Sequence, residues 1–372
     1  MRTDEKFPTR RAFIRLSAAA AVGMRIVTEP LLAKGALAGE VPREGVYINA
    51  NENPLGPCEA ARTAVAEIIP QGGRYSDWLT DDLVKEFARM EGLKREYVLA
   101  FPGSSGPLHY SVLAFSSPAK SYVTADPGYE AGMEAAQSVG ARVVKVDLTG
   151  KHAHDVRGML AAAPDAGVFY ICTPNNPTGT LTGHSEIEFL LANKPKGSIV
   201  LVDEAYIHFT DAPSTVDLVK ADRDVILLRT FSKIYGMAGL RCGFAIGRPD
   251  LLAKMAEYSG WNAMPITAVV AATASLKESG LVAERKRANA AIREETFEWL
   301  RGKGYSFTPS QSNCFMLDAK RPTKLVIQAM AKENVFIGRA WPARPTSVRI
   351  TVGTRGEMER FRAVFERVMS KG

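Results

Sequence analysis

The 372-residue chain is poor in the side chains on which metal enzymes and disulfide scaffolds depend, with four cysteines and five histidines. Cys58, Cys172, Cys242 and Cys314 show no CxxC spacing and no HExxH occurs, so neither a metal site nor a disulfide framework is expected. The cysteines read as reduced core or site-wall residues. Basic charge is not clustered along the chain: residues 1–38 hold seven Lys or Arg against three Asp or Glu, which accounts for four of the net +7, and the remainder is nearly balanced. That argues against a nucleic-acid surface. No apolar run approaches the roughly 20 residues that span a bilayer, so stable membrane insertion is not expected. Repeats, heptads and low-complexity linkers are also lacking.

What is present is a hydrophobic content of 46 %, enough over this length for a sizeable core and two unequal domains. The start, PTRRAFIRLSAAAAVGM, pairs Arg10 with Arg11 ahead of Phe13 and a short apolar run, which resembles a twin-arginine export signal. Small residues at Ala36 and Ala38 suit a cut that leaves a mature chain from near Gly39. The expectation is passage through the twin-arginine translocation machinery to the periplasm, the alternative being a basic amphipathic arm retained on a cytoplasmic chain. Residues 1–38 are then a signal peptide, 39–60 an extended arm, 61–258 a large cofactor-binding domain, and 259–372 a small domain that packs with the arm.

Periodicity predicts helices over 59–69 and 79–91, with Tyr75 on the loop between them. FPGSSGPLHY, from Phe101, is a glycine-serine turn opening a helix, which gathers backbone N–H groups and the hydroxyls of Ser104 and Ser105 at a positive helix end. His109 reads as a packing residue. His152 and His154 read as solvated loop histidines. Residues 121–130, a strand ending in a turn that presents Tyr129, and strands 141–148, 167–172, 198–206 and 224–233 alternate with helical stretches, so the expected fold is α/β, a mostly parallel sheet covered by helices with a smaller α+β domain. Three successive strands end in PNNPTG, VDEAY and RTFSK, and ligands of open parallel sheets sit at that end.

The stretch RTFSKIYGMAGLRCGF, residues 229–244, crowds Thr230, Ser232, Lys233 and Arg241 with three glycines. An amine beside a phosphate-type cradle points to pyridoxal phosphate, which needs an amine for its aldehyde, a carboxylate for its ring nitrogen, partners for its ring oxygen and donors for its phosphate. Lys233 suits the first role and the movement of a substrate α proton. Asp203 suits the second, Tyr206 and Asn176 the third, and Tyr129 would stack on the ring. Thr230, Ser232, Arg241 and the turn carrying Ser104 and Ser105 suit the phosphate.

With NENPLGP, RYSD, PNNPTG, VDEAY, TFSKIYGMAGLRCG and VRITVGT in this order, residues 42–370 resemble a fold-type I aminotransferase of the class I/II group, nearest its histidinol-phosphate aminotransferase branch. The resemblance implies the cofactor roles above. It further implies a homodimer in which Tyr75 is lent to the partner subunit's cofactor phosphate. It puts Arg349 on the substrate carboxylate, Arg339 on a substrate phosphate, and Asn51 of NENPLGP at the substrate. Gly132 stands where that branch often carries a second aromatic. The expected reaction moves an amino group between an amino acid, or a histidinol-phosphate-like amine, and a 2-oxo acid such as 2-oxoglutarate. Decarboxylation or C–S cleavage of an amino acid or amino-acid phosphate on the same cofactor is the alternative.

Overall fold

Runs such as AGVFYIC, IVLVD and VILLRT carry almost no alternation of apolar and polar residues, a pattern suited to strands covered on both faces. In the structure, a computed structural model that describes residues 44–260 and 263–370, these runs are the buried centre of a sheet. The twin-arginine segment lies outside the described residues.

The strands, in chain order, are β1 (Val46–Ile48), β2 (Val98–Phe101), β3 (Ser121–Asp126), β4 (Val143–Asp147), β5 (Ala166–Cys172), β6 (Ile199–Asp203), β7 (Val225–Thr230), β8 (Gly243–Gly247), β9 (Ser306–Phe307), β10 (Cys314–Asp318), β11 (Val335–Ile337), β12 (Ala340–Trp341) and β13 (Arg344–Thr351). Seven form one sheet in the order β2-β8-β7-β6-β5-β3-β4. Its pairs from β7 to β4 are parallel, and β8 alone runs against its neighbours β2 and β7. The mostly parallel expectation therefore holds, with the reversal confined to one strand. Sequence periodicity does not single out β2 or β8, because each is short and leads into or out of a glycine-rich turn.

The second sheet is antiparallel, β12-β13-β10-β9. Separately, β1 pairs in parallel with β11, Val46 opposite Val335 and Ile48 opposite Ile337. Two hydrophobic cores result. The larger surrounds the seven-stranded sheet and takes in Ala268, Val269, Ala271 and Ala272 of the helix Ile266–Lys277. The smaller joins Phe297, Phe315, Ile350, Phe361 and Phe365 to Ile48 of the arm strand. Ile48 thus ties the arm to the small sheet by burial as well as by pairing.

One sequence expectation fails. His154 is not solvated: it is buried, and its Nε2 accepts the Cys172 N–H at 3.3 Å. Burial drives its pKa down to about 4. Residues 149–151 of this polar stretch stand in solvent, and His154 alone turns inward, where its N–H donates to Thr182 Oγ1 at 3.1 Å.

Candidate active site

Parallel pairing sets the carboxyl ends of β5, β6 and β7 side by side, with Cys172 opposite Asp203 and Asp203 opposite Leu228. Each strand then delivers its polar residues to the same edge: Asn176 after β5, Asp203 at the end of β6 with Tyr206 beyond it, and Thr230 at the end of β7 with Ser232 and Lys233 beyond it.

Asp203 is buried, with Oδ1 accepting the Ala205 N–H at 3.0 Å and Oδ2 accepting the Tyr170 hydroxyl at 2.9 Å. Burial, and then the Asp203 charge, push the Tyr170 phenol well above its ordinary pKa, so it stays a donor. Tyr170 is a site residue that the sequence reading misses. Its one signal is a tyrosine inside a fully apolar strand, where a hydroxyl needs a partner.

Lys233 is buried too, with Nζ 3.4 Å from the Ala50 carbonyl and 5.6 Å from the centre of the Tyr206 ring. Tyr206 Oη accepts a hydrogen bond from Asn51 Nδ2 at 3.0 Å. Asn51, wholly buried at φ +53°, also reaches Cys314 Sγ at 3.2 Å, and its N–H and Oδ1 both engage Thr351 Oγ1. It therefore links the arm, the small sheet and Tyr206. All four cysteines are buried free thiols.

At the other end, Thr230 and Ser232 hydroxyls are 2.9 Å apart, and Arg241 Nη1 donates to Ser232 Oγ at 3.2 Å. The helix Ser105–Phe115 starts beside them, with no side-chain cap from Ser104, so its first N–H groups remain as donors. Gly103, at φ +88°, is required here. A Cβ at that position would collide with Arg241 Nη2, and its backbone conformation disfavours other residues. Hydroxyls, a guanidinium and a helix start thus surround a cradle that one methyl group would spoil, and this fits a phosphate. An amine and a carboxylate lie beside it, as a phosphorylated pyridine aldehyde demands.

Arg349 is buried against this set, donating from Nη1 to Asn176 Oδ1 at 2.8 Å and from Nη2 to the Asn49 carbonyl at 2.6 Å. Its buried Nε has no partner. Arg339, also read from the sequence, is held 2.5 Å from Glu130 Oε2 and lies over the Trp341 ring. Neither Glu130 nor Trp341 has a sequence signal. Tyr129 is half-buried against the larger core. Tyr75 stands at the surface, 66 % exposed. Gly132 has a steric reason: the Tyr122 hydroxyl occupies the place where its Cβ would be.

A histidinol-phosphate aminotransferase of Moorella thermoacetica is 31 % identical, over 86 % of this chain and 84 % of its own. An aromatic amino acid aminotransferase of Cutibacterium acnes is also 31 % identical, over 89 % of this chain and 94 % of its own. The crystal structure of histidinol-phosphate aminotransferase from Sinorhizobium meliloti in complex with pyridoxal-5'-phosphate shares the fold at a TM-score of 0.82, with 24 % identity over 94 % of this chain and 96 % of that one. The family model for aminotransferase class I and II matches residues 43–365. With that span covering both sheets and every residue of the site, the chain belongs to the class I and II aminotransferase family.

Proposed function

We propose that the protein is a pyridoxal-phosphate-dependent aminotransferase that moves an amino group between an amino acid, or a histidinol-phosphate-like amine, and a 2-oxo acid such as 2-oxoglutarate. The observation that carries this reading is the buried Lys233 amine set among Asp203, Tyr206 and the Ser232–Arg241 cradle. Bound there, pyridoxal phosphate supplies an electron sink that acidifies the α C–H of an amine joined to it.

The protein's own groups do the rest. Arg241, Thr230, Ser232 and the helix start at Ser104 and Ser105 hold the phosphate. Asp203, kept in place by Tyr170, holds a proton on the ring nitrogen. Asn176 and Tyr206 orient the ring oxygen, and Tyr129 covers the ring. Lys233 Nζ would take the substrate α proton and deliver it to the cofactor carbon that bears the amine nitrogen. Arg349, already desolvated and with Nε to spare, orients a substrate carboxylate.

The test is to load the full chain with pyridoxal phosphate, add an amino donor, and follow the cofactor absorbance. Conversion to the amine form and its reversal by a 2-oxo acid are expected. Lys233→Ala should slow this by at least about 100-fold. Absence of conversion with every donor overturns the reading, and release of carbon dioxide or ammonia in its place decides for decarboxylation or C–S cleavage.

Two further parts of the reading concern assembly and place. A homodimer sharing Tyr75 is supported by the exposure of Tyr75 alongside Leu55, Ile69 and Trp78. A monomer by sedimentation at working concentration would refute it. Export rests on the Arg10–Arg11 pair, and fractionation of the chain with both changed to lysine should leave it in the cytoplasm.

A further inference from the structure

Two arginines share one indole. The guanidinium carbon of Arg349 lies 5.6 Å from the centre of the Trp341 ring, and that of Arg339 lies 4.7 Å from it. Their electrostatic conditions differ. Arg349 gives its Nη donors to a neutral amide and a neutral carbonyl and keeps a buried Nε without a partner. Arg339 is already paired with the Glu130 carboxylate. Glu130 comes from the turn after β3, directly beyond Tyr129, whereas Arg339 precedes β12. Trp341 Nε1 donates to the Gly128 carbonyl at 3.0 Å, so the segments 128–130 and 339–341 are joined twice.

We infer that Glu130 is a specificity-determining residue that keeps dianionic phosphate monoesters off Arg339 and selects amino donors whose far end is uncharged. The inference rests on the reading that Arg349 takes the substrate carboxylate, and it names the donor class of that same site. A phosphate reaching for Arg339 must settle beside the Glu130 carboxylate or push it away from its cation. The first sets like charges together, and the second leaves a partly buried carboxylate unpaired. An aromatic or aliphatic far end meets a charge-balanced, partly exposed pair backed by the buried Trp341 ring, and it disturbs neither. Specificity built this way depends on a repulsive group as much as on an attractive one.

The experiment compares O-phospho-L-tyrosine with L-tyrosine, which share the α-carboxylate and differ only at the far end, as donors for the pyridoxal-phosphate-loaded full chain, and reads the ratio of their kcat/KM values. In the wild type that ratio is expected at or below one. Glu130→Gln keeps the shape and removes the charge, and should raise the ratio at least about tenfold. Adding Arg339→Ala to that variant should return the ratio to near the wild-type value. A wild-type ratio above about ten, a shift below about threefold in Glu130→Gln, or a gain that survives in the double variant overturns the inference. Calorimetric binding of phenyl phosphate to the same three proteins reads the site without turnover. Tightening of about tenfold in Glu130→Gln alone supports the inference, and equal affinity across the three overturns it. Failure of transamination with every donor would sink the functional reading, while this binding comparison would still decide the role of Glu130.

Discussion

Tyr170→Phe removes one hydroxyl and leaves a buried ring in place. That hydroxyl donates to Asp203 Oδ2 at 2.9 Å, and both residues are buried. A hydrogen bond to a charged acceptor contributes about 1.5–3 kcal/mol, and Asp203 would lose one donor with no solvent to replace it, so a destabilisation of about 2 kcal/mol is expected. The assay is urea denaturation of the full chain without added cofactor, at one protein concentration, for wild type, Tyr170→Phe, Asp203→Asn and the double variant. The midpoint should fall with an unchanged slope. Because the neutral amide introduced by Asp203→Asn would attract the phenol less, Tyr170→Phe should cost about 1 kcal/mol less in that background. A cost below about 0.5 kcal/mol, or the same cost in both backgrounds, would mean that Tyr170 does not hold Asp203.

Stability should also depend on pH through two buried imidazoles. Burial lowers His154 to about 4 and His208 to about 3, against 6.5 in the unfolded chain. The unfolded chain therefore takes up protons first as pH falls, and stability declines from about 6.5 downward until each folded pKa is passed, with about 2 kcal/mol lost per histidine between pH 7 and 5. Urea midpoints at pH 7, 6 and 5 should fall less steeply in His154→Gln, and an unaltered slope would refute the contribution of that residue. Gly132→Ala drives a methyl group into the Tyr122 hydroxyl and should cost about 1–3 kcal/mol, with Tyr122→Phe restoring part of it in the double variant, since the ring carbon Cζ still lies 2.6 Å from the added Cβ. Additive costs from thermal or urea melts would show that the strain lies elsewhere.

The sequence by itself determined the fold class, the run of strands from β3 to β7 with helices between them, and the polar residues that stand at the ends of β5, β6 and β7. It could do so because strands buried on both faces are written as continuous apolar runs, and because the polar groups at their ends stand immediately after those runs. Asn176, Asp203, Tyr206 and Lys233 were legible for that reason. Tertiary structure alone decided contacts between residues far apart in the chain. Tyr170 meets Asp203 across the β5–β6 pairing, Asn51 reaches Tyr206 from the arm, and Glu130 meets Arg339 across 209 positions. It also decided the burial of His154, since a polar loop carries no local mark of which residue will turn inward. Local periodicity records which face of an element is covered, whereas pairing and packing choose what covers it, and the charge balance around Arg339 belongs to that second kind.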